Sequence, residues 1–181
     1  MNFINTALDG VKIIEPKVFE DSRGYFFEFY HKKKFYDNNI HEDFVQSNHS
    51  FSKKNTLRGL HFQNPKSQGK LVRCTRGEIL DVAVDIRQNS KTFGHWISKV
   101  LSSKNFLQLY IPGGFAHGFL VLSDYAQVSY QCTDLYYPEF DKGIIWNDCT
   151  LNIDWGINNP ILSVKDLNFP SLKDLNSDLD F

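Results

Sequence analysis

The chain has 181 residues, enough for one domain with a buried core, and 15% of them are aromatic, with 16 Phe. Its formal net charge is −1 with no basic block, which excludes nucleic acid held by phosphate contacts alone. No apolar run reaches the roughly 18 residues of a membrane helix, residues 1–5 carry no secretory pattern, and Cys74, Cys132 and Cys149 lack any Cys-x-x-Cys spacing, so a cytoplasmic chain with free thiols and no membrane partner is expected.

Taken in chain order, short apolar or alternating runs recur roughly every 8–12 residues between turn residues. Residues 11–19, 25–30, 44–51, 57–63 and 70–75 read as strands, followed by 79–86, 95–101, 106–111, 117–121 and 126–133. The alternation is clearest in 81–87: Val82, Val84 and Ile86 take one face, and Asp81, Ala83, Asp85 and Arg87 the other. Only two segments look helical, a short charged one at 31–39 and one opening at Pro160 and running to 167. The tail after Asn168 is polar. Many short strands with Gly and Pro punctuation, and no repeat or linker, predict one all-β domain over 1–181, a sandwich or barrel.

Two stretches carry chemistry. The first is Leu57-Arg58-Gly59-Leu60-His61-Phe62-Gln63, followed by Gln68-Gly69-Lys70-Leu71-Val72-Arg73. The second is Ile111-Pro112-Gly113-Gly114-Phe115-Ala116-His117-Gly118-Phe119. A histidine titrates near neutrality and serves as a base without a metal. Lys70, on the next strand, would stabilise a developing oxyanion, and Arg58 and Arg73 would hold diphosphate oxygens. A metal site is disfavoured because Gln63 stands where a His-x-His pair would place its second ligand, leaving His61 and His117 without an obvious third. Each residue also has a plainer reading. His61 and His117 fit as packed strand histidines, Ser163-x-x-Asp166 as a capping box, and Tyr130 as sheet filling not distinguished by spacing from Tyr125 or Tyr136.

Together these motifs resemble the sugar-nucleotide 3,5-epimerases typified by dTDP-4-dehydrorhamnose 3,5-epimerase. The resemblance runs from Asp21-Ser22-Arg23-Gly24-Tyr25-Phe26-Phe27-Glu28 through Gln46-Ser47-Asn48-His49-Ser50, both histidine stretches, Tyr130–Thr133 and Ile145-Trp146-Asn147-Asp148, to Ser163-Val164-Lys165-Asp166. It implies a cupin-type jelly roll, a homodimer with strands shared across its interface, no cofactor, and a nucleotide-diphosphate sugar as substrate. By the same resemblance His61 is the general base, Asp166 the carboxylate that supports it, Tyr130 the acid on the opposite sugar face, and Lys70 the cation near the 4-keto oxygen, with His117 lining the pocket. Arg23, Phe26, Glu28, Gln46, Asn48 and Arg58 match nucleotide-contacting positions, some reaching from the partner subunit. Members that use thymidine carry two tyrosines in the stretch after the position of Tyr130, the first stacking on thymine. Leu135 stands there in this chain, which admits a relative taking another base, such as a GDP-linked 4-keto heptose. The rivals on the same fold are a 3-only epimerase and a 3,4-ketoisomerase. A non-catalytic sugar-nucleotide binding module is the rival of another class.

Overall fold

The computed structural model describes residues 1–175, 179 and 181. β1 (Asn2–Asn5), β2 (Lys12–Glu15), β3 (Val18–Asp21) and β4 (Gly24–Phe27) precede the short helix α1 (Lys32–Tyr36). Then come β5 (Gln46–Lys53), β6 (Leu57–Gln63), β7 (Lys70–Arg76), β8 (Glu78–Asp85) and β9 (Trp96–Ser102). β10 (Gln108–Ile111), β11 (Phe115–Val121), β12 (Tyr125–Cys132) and β13 (Asp141–Gly143) complete the strands. Six of them form one antiparallel sheet in the order β1-β2-β10-β7-β12-β5, and five form another in the order β13-β6-β11-β8-β9. Among the described residues β3 and β4 pair with each other alone, as a hairpin. The architecture is an all-β jelly roll, with the long strands close to where the apolar alternation places them.

The sheets close on a core that takes Val72, Leu109, Ala126 and Val128 from the first sheet and Ile79, Ala83, Phe115, Phe119 and Val121 from the second. A second core lies on the outer face of the five-stranded sheet, where Val82, Val84 and Ile86 pack with Ile144, Leu151, Trp155 and Leu172. β8 therefore alternates as expected, but it is buried on both faces, and Asp81 and Asp85 share the inward face with Ala83. Two buried carboxylates are tolerable only when paired. Asp81 pairs with His117, and Asp85 with Arg87, Ser90 and Thr92.

The structure departs from the sequence expectations in four places. The run at 11–19 is two strands, because Pro16 lacks an N–H and divides a sheet strand from a hairpin strand. β1 and β13 add strands that no strong pattern announces. The helix at 31–39 shrinks to Lys32–Tyr36, the chain turning at Asn39 with φ 61°. The segment from Pro160 does not open a helix. Leu57 N–H donates to Ile161 O and Ile161 N–H to Asn55 O, so backbone pairing with the approach to β6 claims it, leaving one 3-10 turn at Asp166–Asn168.

Candidate active site

β6 lies between β11 and β13, and His61 sits opposite His117 on one side and Gly143 on the other. A register shift in the β6–β11 pairing sets Arg58 and His61 against Phe119 and His117, so three steps of β6 span two of β11. Such a bulge brings two residues of odd spacing toward one side of the sheet. Gly59 makes it possible: its φ is 125°, and a Cβ there would lie 2.6 Å from Gly118 Cα.

Between the two sheets opens a cleft of about 280 Å³. The five-stranded sheet contributes His61 and Gln63 to its lining; the six-stranded sheet contributes Gln46, Asn48, Lys70 and Tyr130. His61 and Tyr130 thus face the cleft from opposing walls. The His61 ring is one-third exposed, and its Nε2 lies 2.5 Å from Asp166 Oδ1. Asp166 is 3% exposed. Burial raises its carboxyl, but the His61 hydrogen bond, followed by bonds from Ser163, outweighs it and holds the group below the usual carboxylate range. Asp166 N–H donates to Ser163 Oγ and the Asp166 carboxyl bonds back to Ser163, so the expected capping contacts form while the same carboxylate serves His61.

Lys70 is 8% exposed, and its Nζ donates to His61 O at 3.3 Å. Among the described residues it has no ion-pair partner. Burial pushes its ammonium group down from the usual lysine value, partly opposed by Cys132, Asp141 and Asp81. Burial pushes the Tyr130 hydroxyl up, helped by Cys132 and Asp141 and opposed by Arg58. The cleft thus holds a carboxylate-supported imidazole, a neutral phenol on the far wall and a poorly solvated cation. Side chains of these kinds are chemically equipped to remove a proton, return one, and stabilise an anion between.

His117 is not in the cleft lining but in the strand beside His61, 7% exposed, with Nε2 2.8 Å from Asp81 Oδ1. Arg58 lies outside the lining too, its Nε donating to Ser52 Oγ at 2.9 Å. Arg73 is on the face of its sheet opposite Lys70, because three regular steps along β7 reverse the side. It stacks on Phe29 at 4.2 Å and Phe27 at 5.8 Å and is absent from the lining of the cleft. Arg23 and Phe26 line a separate groove on the β3–β4 hairpin, where Arg23 pairs with Asp21 at 2.6 Å. Glu28 pairs with Lys34 at 2.6 Å. Of the expected set, one chain gathers His61, Asp166, Lys70, Tyr130, Gln46 and Asn48.

Tyr136, which spacing did not separate from Tyr130, and Asp141, to which the sequence assigned no role, complete the cleft. Tyr136 lines it and donates from its hydroxyl to Asp141 Oδ2 at 2.7 Å, while the Lys165 ammonium contacts the same oxygen. That bond to Asp141, with burial behind it, pushes the Tyr136 hydroxyl up to about 12. Leu135, the position expected to stack on a base, is 48% exposed. Gln63 is buried and spends its amide on the chain: Nε2 donates to Lys66 O and Leu135 O, and Oε1 accepts from Tyr137 N–H. Among the described residues no three His, Cys, Asp or Glu side chains gather as a metal site, and no helix is long and apolar enough to cross a membrane.

The family model for dTDP-4-dehydrorhamnose 3,5-epimerase matches residues 5–174. The chain belongs to the dTDP-4-dehydrorhamnose 3,5-epimerase family. It is 52% identical over 175 residues to the dTDP-4-dehydrorhamnose 3,5-epimerase of Methanothermobacter thermautotrophicus, covering 95% of each chain. It is 52% identical over 178 residues to that of Escherichia coli K12, covering 97% of this chain and 96% of the relative. Its fold matches the crystal structure of a dTDP-6-deoxy-D-glucose-3,5-epimerase from Legionella pneumophila in complex with dTDP-4-keto-L-rhamnose. The TM-score is 0.94 at 47% identity, covering 97% and 94% of the two chains. As a family member the chain is an isomerase of the epimerase class with a cupin-type jelly roll.

Proposed function

We propose that this family member epimerises C3 and C5 of a dTDP-linked 4-keto-6-deoxyhexose without a cofactor, with His61 as base and Tyr130 as acid. The observation that carries the reading is the placement of His61, backed by buried Asp166, across one cleft from Tyr130, with Lys70 in the same wall as Tyr130. A 4-keto group acidifies the adjacent C–H bonds because the electron pair left on carbon delocalises onto O4. His61 takes the proton, the Lys70 ammonium stabilises the enolate oxygen, and Tyr130 donates a proton to the other face of the same carbon. The phenolate and imidazolium then return to their starting states by proton exchange with solvent. The sugar turns in the cleft for the second centre. No electron leaves the substrate, so the reaction as proposed needs no redox group.

Homodimerisation is part of the reading. The β3–β4 hairpin exposes Phe19 (54%), Tyr25 (57%) and Phe26 (70%), more apolar surface than a free hairpin carries without a partner. Arg23, Phe26 and Glu28 then act at the partner's cleft, and the product feeds deoxysugar units into cell-surface polysaccharide.

The test is deuterium uptake from D2O into dTDP- and GDP-linked 4-keto sugars, read by NMR together with direct nucleotide titration. Exchange at two carbons with preference for dTDP is expected. Exchange at C3 alone would make the chain a 3-only epimerase, and none at all a binding module. Preference for GDP would assign the base to the exposed Leu135, since one aromatic–base stack is worth roughly 1–3 kcal/mol.

Tyr130→Phe removes one oxygen and keeps the ring. Net epimerisation is expected to fall further than C–H exchange, because His61 still removes a proton and returns it to the same face. Unchanged epimerisation would give the acid role to water or another side chain.

A further inference from the structure

The β5 wall of the cleft presents two amides, and their orientation is set by a donor of fixed sense. Tyr136 N–H donates to Gln46 Oε1 at 2.8 Å. A backbone N–H only donates, so Gln46 turns its oxygen to Tyr136 and its Nε2 to Asn48 Oδ1, at 3.0 Å. Asn48 in turn directs Nδ2 at Cys132 Sγ, 3.6 Å away. Cys132 is 1% exposed and is the cross-strand partner of both Gln46 and Lys70. The thiol therefore lies between the amide wall and the cleft's cation, in a reaction that uses no sulfur. Burial pushes the thiol up, against the pull of Lys70 and the Asn48 bond, so it stays neutral. A neutral acceptor ends the chain of hydrogen bonds without neutralising Lys70; a carboxylate in its place would pair with that ammonium.

We propose that Cys132 is a positioning residue. Its sulfur fixes the Asn48 amide, so that the second N–H groups of Gln46 and Asn48 are held as donors for acceptor oxygens of the sugar nucleotide. This rests on the reading of the cleft as the substrate site. The relay also joins that wall to the 134–137 segment, which carries Leu135 and Tyr136.

Cys132→Val removes the acceptor at similar volume; Cys132→Ser keeps one. Steady-state kinetics with the dTDP-linked 4-keto sugar should show KM raised about two- to tenfold in Cys132→Val, the worth of one net hydrogen bond, with kcat much less affected and part of the loss recovered in Cys132→Ser. In an Asn48→Asp background, where no amide reaches the sulfur, Cys132→Val should add little. Equal KM changes in the Val and Ser variants, a fall confined to kcat, or full additivity with Asn48→Asp would overturn the proposal. Should Cys132→Val fail to fold, the Asn48 side-chain amide resonances decide: in Cys132→Ser they must move downfield, oxygen being the stronger acceptor, and unmoved resonances refute the contact. A wild-type protein with no exchange on any 4-keto sugar nucleotide would instead sink the functional reading beneath it.

Discussion

Replacing His61 by Asn is expected to leave dTDP binding intact and to slow C3 and C5 exchange about 10²–10⁴-fold, the usual worth of a positioned acid or base. The choice of Asn matters. Asp166 is 3% exposed and bonded to the His61 ring at 2.5 Å. An alanine would strand that carboxylate, and the stability loss would obscure the kinetics. Asparagine keeps a polar amide on the Asp166 side, one atom shorter than the ring's Nε2, and cannot accept a proton from carbon. Deuterium incorporation followed by NMR, with nucleotide titration on the same preparation, separates the two effects. Near-normal incorporation would remove His61 from the mechanism, while loss of dTDP binding would make it a binding residue.

Much of this site was legible because the relevant geometry is local. The strand carrying His61 and the strand carrying Lys70 follow from short apolar runs, and period-two alternation is reliable within each. What stayed hidden is register between strands. Lys70 and Arg73 are three regular positions apart, so they occupy opposite faces, and that parity carries Arg73 away from the Lys70 side of the strand. Arg58 and His61 are also three apart, but the bulge at Gly59 cancels the parity, and no residue pattern announces it. The His61–Asp166 contact joins positions 105 apart, and the family resemblance, not spacing, brought them together. Asp81 carried a readable signal. A carboxylate alternating in phase with Ala83 belongs either to solvent or to a buried partner, and the structure supplies His117. The segment from Pro160 shows tertiary pairing overriding a weak helix signal, since its backbone bonds go to residues 55 and 57.

The largest effect on stability is expected at Asp85. Its side chain is fully buried and accepts from Arg87 N–H, Nε and Nη2, from Ser90 Oγ and from Thr92 Oγ1. Burial alone would raise the carboxyl, but bonds from Arg87, Ser90 and Thr92 lower it from 3.8 to about 2. In Asp85→Asn one oxygen becomes an NH2 group pointed at donors, and Arg87, itself partly exposed, loses its counter-charge. Removing one partner of a buried pair costs about 3–5 kcal/mol. The partial exposure of Arg87 favours the lower end, or roughly 6–12 °C in melting temperature for a chain of this size. The pH dependence follows from the sign of the shift. A carboxyl depressed on folding stabilises the protein above its unfolded pKa, and that contribution is lost as pH falls from about 4 to about 2. Melting curves of wild type and Asp85→Asn should therefore lie far apart at neutral pH and draw together in that window. Parallel curves down to pH 2 would show that the ionised carboxylate is not what stabilises the turn. Activity at moderate temperature should survive the substitution, because Asp85 is absent from the cleft lining and the chain that supports it runs through Arg87, Ser90 and Thr92 rather than through His61 or Lys70.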